Sequence, residues 1–192
     1  MRTGQCSSPT RQGPAVQEPS APLRELADRQ LIHEVVLTYC RGVDRLDLDL
    51  VRSAYHPDGV DHHTGFSGPV DAYIAWVEPL LRAFDGTQHI IGNHSVELLG
   101  DHAVAETYGT AVHWGSPADD ARLNFTSGFR YVDHLTRRDG RWAIVERFAV
   151  REWTRSDAGL RIAPEADGPR PGRDGSDPLQ DLTRRVREAA RS

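Results

Sequence analysis

The chain has 192 residues, 38% of them hydrophobic, with a formal net charge of −5 and a pI near 6.0. That length carries one domain of roughly 130 residues with tails, and the acidic balance gives no field for a polyanion, so no nucleic-acid partner is expected. No run reaches the ~18 apolar residues that span a bilayer, and the N-terminus lacks the apolar stretch of a secretory signal, which predicts a cytoplasmic protein with no membrane partner.

Residues 1–21 are rich in Gly, Pro, Ser, Gln and Thr and read as a disordered leader, because they hold too little apolar surface to offset the entropy of ordering. From Leu23 the pattern turns helical: Leu23, Leu26, Leu31, Ile32, Val35, Val36 and Tyr39 form one apolar stripe ending near Gly42. A short second helix is expected over Asp47 to Tyr55, stopped by His56-Pro57-Asp58-Gly59. Gly59 to Thr64 reads as a short strand and Gly65 to Pro69 as a loop. A third helix starts at Pro69, where the missing N–H costs nothing, and runs to Phe84 with a kink at Pro79.

After Gly86 the period changes from 3.6 toward 2. Strands are expected at Gln88–Leu99, Ala103–Trp114, Arg122–Leu135 and Arg141–Trp153, with turns at Gly100-Asp101, Gly115-Ser116-Pro117 and Asp139-Gly140. Long strands joined by short turns imply an antiparallel meander that curls strongly. The fold class is therefore α+β, three N-terminal helices packed on a curved antiparallel sheet over residues 22–154. Residues 155–192 read as a Gly/Pro-rich tail with a short helix over 181–190. Cys6 in the leader and Cys40 on the first helix are badly placed to pair, and no His or Cys spacing anchors a metal site, so no metal is expected.

The element order, the Tyr39…Asp44 spacing, "HPDGV" after the second helix, "TQHIIGN" and the closing "RRDGRWAIVERFAVREW" resemble the SnoaL-like, scytalone dehydratase-like branch of the nuclear transport factor 2-like superfamily. The resemblance covers Leu23 to Trp153 and implies a cone-shaped α+β barrel. That branch includes scytalone dehydratase, bile-acid dehydratase and hexachlorocyclohexane dehydrochlorinase. By resemblance, an Asp at the end of the first helix pairs with a His at the start of the long sheet, which maps onto Asp44 and His89. Arg147 matches an Arg of the last strand, Tyr39 a Tyr five residues before the Asp, and His113 a second pocket histidine. The resemblance also implies a homodimer or homotrimer, and it extends to non-catalytic relatives such as the β subunits of ring-hydroxylating dioxygenases.

An imidazole oriented by a carboxylate is a base suited to removing a proton next to a carbonyl or as a hydroxide leaves. Asp44 would fix the tautomer of His89, the alternative being a structural Asp–His bond at a helix end. Arg147 shares the small-residue phase of its strand with Ala143, Val145 and Ala149 and is expected to face a cavity, or else to pair with Asp44 or a rim Glu. His113 shares its phase with Ala103, Ala105, Gly109 and Ala111 and either protonates a leaving oxygen or is a core histidine. The Tyr39 hydroxyl either donates to a substrate oxygen or packs. Of the adjacent His62 and His63 only one can face inward, and we place His62 in the pocket with Trp76, Phe129 and Tyr131, although aromatics at such positions also build cores. These residues together lead to the expectation of a cofactor-independent dehydratase or other lyase, or an isomerase, acting on a hydroxylated cyclic or polycyclic small molecule. A non-catalytic binding or assembly subunit is the alternative, and a ketosteroid-isomerase-like enolisation, normally run by an Asp base with deeper acid donors, a third.

Overall fold

A computed structural model describes residues 20–160, 172–174 and 177–191; the expected leader lies almost wholly outside them. Helices α1 (Ala21–Arg45), α2 (Leu48–Ser53) and α3 (Val70–Arg82) pack on a six-stranded sheet of β1 (Tyr55–His63), β2 (Phe66–Pro69), β3 (Gly86–Leu99), β4 (His102–Trp114), β5 (Phe125–Arg138) and β6 (Arg141–Ser156), and α4 (Pro178–Ala189) follows. The strand order is β2-β1-β6-β5-β4-β3, an open sheet rather than a closed barrel.

Helix α1 buries Ile32, Val36, Tyr39, Cys40 and Val43, one stripe at 3- and 4-residue spacing. The stripe is narrower at its start than the sequence suggests, since Leu23, Leu26 and Leu31 are about half exposed or more. The helix runs one turn past Gly42, which puts Asp44 inside its last turn. Gly42 is needed there for another reason: a Cβ would lie 2.7 Å from the backbone nitrogen of Val51, so its absence lets α2 cross directly against α1. Leu46 then takes a left-handed φ of 54° and Asp47 caps α2, accepting a hydrogen bond from the Leu50 N–H at 3.0 Å.

Four expectations are corrected. His56-Pro57-Asp58-Gly59 does not precede the strand but lies inside β1, where the register against β6 shifts between Tyr55 and Val60, as an irregularity that accommodates Pro57. Phe66–Pro69 is a strand rather than a loop, because the turn at Gly65, with φ +88°, folds it back onto β1 from His63↔Phe66 to Val60↔Pro69. The sheet is mixed and not purely antiparallel, since β1 runs parallel to β6 with Asp61 opposite Arg147. Helix α3 continues through Pro79. Strand β5 begins only at Phe125, because the buried Asn124 side chain ties the preceding loop, accepting from Gly115 N–H and donating to the carbonyls of Pro117 and Asp120.

Candidate active site

The sheet curls around a cavity of about 320 Å³ roofed by α1 and α3. Its wall includes Trp76, Phe84, Phe125, Phe129 and Tyr131, so a ligand there meets mostly apolar surface with a few polar groups. Room for Phe129 is made on the neighbouring strand: a Cβ on Gly109 would lie 2.4 Å from the Phe129 ring, so only glycine lets that ring swing across β4.

Asp44 reaches from the last turn of α1 to the first residues of β3. Its Oδ1 lies 2.7 Å from Nδ1 of His89 and accepts from the Thr87 hydroxyl at 3.0 Å, while Oδ2 accepts from the His89 backbone N–H at 2.8 Å. A carboxylate only accepts, so Nδ1 carries the hydrogen and Nε2 of His89 is the free basic nitrogen. Both side chains are about nine-tenths buried, and His89 lines the cavity with Asp44 behind it. The dyad thus presents an oriented base to an apolar chamber.

His113, on β4, stacks on Phe125 with ring centroids 4.3 Å apart and stands edge-on to His89 at 6.1 Å. Burial first, then the neighbouring His89 and Arg151, push its pKa down to about 4. Its Nδ1 is buried without a hydrogen-bond partner. The ring is thus a neutral imidazole on the cavity wall, with one nitrogen buried and unpaired.

Tyr39 lines the cavity too, but its hydroxyl is engaged with the Tyr73 hydroxyl, a residue of α3 that sequence reasoning passed over. One of the two oxygens donates to the other, which leaves one O–H of the pair for a ligand. Trp76, Phe129 and Tyr131 line the cavity.

Arg147 and His62 do not. The guanidinium of Arg147 is fully buried and makes two parallel hydrogen bonds to Asp133 on β5, at 2.7 and 2.6 Å, while the rings of Tyr39 and Tyr131 cover it at 4.2 and 4.0 Å. It therefore braces the cavity floor from behind instead of facing in, and its partner is neither Asp44 nor a rim Glu. Asp133, fully buried two residues from Tyr131, is a carboxylate the sequence analysis did not single out. His62 points to the other face, where it stacks on Phe148 at 4.4 Å and reaches Ser67 and Glu146 at 2.7 and 3.2 Å. The neighbouring His63 lines the cavity instead, bonded through Nδ1 to buried Asp61. The signal for this was the i, i+2 spacing of Asp61 and His63, which puts both on one side of a strand.

The comparisons with known proteins agree with this architecture. An uncharacterised protein of Mycobacterium tuberculosis is 26% identical over 132 residues, covering 66% of this chain and 87% of that protein. Among solved structures, a scytalone dehydratase-like protein of Novosphingobium aromaticivorans superposes with a TM-score of 0.63 at 19% identity, over 77% of this chain and 98% of its own. Hexachlorocyclohexane dehydrochlorinase LinA-type3 of Novosphingobium barchaimii gives 0.64 at 18% identity, over 76% and 100%. At such identities these two likenesses speak for the fold alone. The SnoaL-like domain matches residues 24–148, well over half of the 192 residues, and the chain belongs to that family.

Proposed function

We propose that the cavity is the active site of a cofactor-independent lyase, most simply a dehydratase, or of an isomerase, and that its substrate is a hydroxylated cyclic small molecule. The observation that carries this reading is the Asp44–His89 pair, with Nδ1 committed to the carboxylate and Nε2 left as a proton acceptor on the wall of an apolar chamber. His89 takes a proton from carbon next to an activating group. The electron pair then forms a double bond as a leaving oxygen departs, or the proton is returned at another carbon. The hydroxyl pair of Tyr39 and Tyr73 is placed to hydrogen-bond the substrate's oxygens, and the neutral ring of His113 packs edge-on beside His89. Membership of the SnoaL-like family, whose fold a dehydratase-like protein and a dehydrochlorinase share, is compatible with this reaction class.

A cavity of this size with a histidine on its wall speaks against a purely structural subunit, whose core would be filled. The homodimer or homotrimer implied by the family has support in the outer sheet face, where Ile90, Tyr108, Phe148 and Trp153 are about half exposed. The test is a turnover screen of hydroxylated polyketides, steroids and terpenoids with wild type, His89→Ala and Asp44→Asn. Loss of turnover by about 10²–10⁴-fold in both variants is expected, and equal turnover in all three would refute the assignment.

A further inference from the structure

The cavity holds a second Asp–His pair that the reading above does not use. Asp61, on β1, is fully buried and accepts from the Tyr55 hydroxyl at 2.5 Å through Oδ2 and from His63 Nδ1 through Oδ1. This repeats the logic of Asp44 and His89: a buried acceptor-only group commits Nδ1, so Nε2 is the nitrogen His63 has for a ligand. The His63 ring is held in place by stacking on Tyr73, with centroids 4.8 Å apart. Strand β1 and strand β3 have β6, β5 and β4 between them in the sheet, yet His63 and His89 line the same cavity, because the sheet curls until its two sides face each other.

A proton-transfer site with one oriented base needs a second group to receive or supply the proton at the atom where charge develops. We infer that His63, oriented by Asp61 and Tyr55, is that group: it is the general acid that protonates the departing oxygen while His89 removes the carbon-bound proton from the other side. The inference rests on His89 being the base. In a dehydration His63 enters as the imidazolium, with Nδ1–H held by Asp61 and Nε2–H toward the substrate; the C–H pair becomes the new C=C bond, its proton goes to Nε2 of neutral His89, the C–O pair leaves with oxygen, and that oxygen takes the proton of His63 Nε2 and departs as water. His89 ends protonated and His63 neutral, and exchange with solvent resets both. The arrangement suits a substrate whose acidic C–H and leaving oxygen sit on adjacent carbons and opposite faces of a ring small enough for the chamber.

The pair can be tested without the natural substrate, using benzisoxazoles, flat apolar rings that undergo base-promoted opening. One C–H bond breaks, its electron pair completes a nitrile, the N–O bond breaks, and the phenolate oxygen accepts a proton. An acid matters little for nitrobenzisoxazole, whose phenolate is stable, and much for unsubstituted benzisoxazole. His89→Ala should abolish the rate above background for both. His63→Gln, which keeps an N–H to donate to Asp61, should lower kcat/KM by about 10²-fold for the unsubstituted ring and by roughly tenfold less for the nitro compound. Asp61→Asn should show the same dependence on leaving group in a smaller loss. A uniform loss for both probes, or none, in a His63→Gln protein with wild-type thermal unfolding overturns the acid role and leaves His89 as base. Rates unchanged by His89→Ala overturn the reading beneath it.

Discussion

Asp44 spends both carboxylate oxygens on three donors of Thr87 and His89, so it positions a histidine and also latches β3 to the end of α1. In the neutral form His89 should carry its proton on Nδ1 in a ¹⁵N-histidine spectrum, and Asp44→Asn should mix the tautomers, since an amide offers a donor as well as an acceptor. His113 makes a pH prediction with a definite sign. Its pKa is about 4 when folded against an ordinary 6.5, so the unfolded chain takes the proton first. Stability complete above pH ~6.5 is therefore lost as pH falls toward ~4, and half-buried His94, also lowered, acts in the same direction. Urea midpoints measured at neutral pH and near pH ~5 should fall less for His113→Phe than for wild type; equal slopes would contradict the buried neutral state. Cys40 is buried, and loss of solvation pushes its thiol up to about 12. In a Cys6→Ser background it should react with thiol reagents only after denaturation.

At the scale of elements, the pairing of β5 with β6 carries the greatest electrostatic stake. Arg147 and Asp133 face each other across the two strands, both fully buried, with the guanidinium between two tyrosine rings. Asp133→Ala should cost about 3–5 kcal/mol in chemical denaturation because a charge is left unpaired in the core, while the double change Arg147→Met, Asp133→Leu should cost much less. Sequence periodicity put Arg147 on the inner side of β6, and that was right as far as it went. It could not say that Tyr39 and Tyr131 would close over the guanidinium, because those rings come from α1 and β5. His62 and His63 failed for a related reason: period 2 makes them opposite, but which one faces in depends on the register of β1 against β6, set by the irregularity between Tyr55 and Val60.

For the molecule as a whole, the helices and the curled sheet enclose the cavity without help from α4, none of whose residues is buried. Among the described residues, Asp177 at the start of α4 forms a 3.6 Å ion pair with Arg45 of α1 and accepts from the Gly172 N–H. Deleting residues 175–192 should lower stability by less than about 1 kcal/mol, the ordinary worth of an exposed ion pair, and a larger loss of denaturation midpoint would assign the tail a packing role. By itself the sequence determined the element order and class, the Asp44–His89 pairing suggested by family pattern, and an aromatic pocket wall, because these follow from local periodicity, turn chemistry and motif spacing. Only the tertiary structure decided that Arg147 supports the wall from behind, that His63 and not His62 lines it, and that two Asp–His pairs share one cavity. Those facts depend on how far the sheet curls and in what register its strands meet, which are properties of contacts between residues distant in the chain.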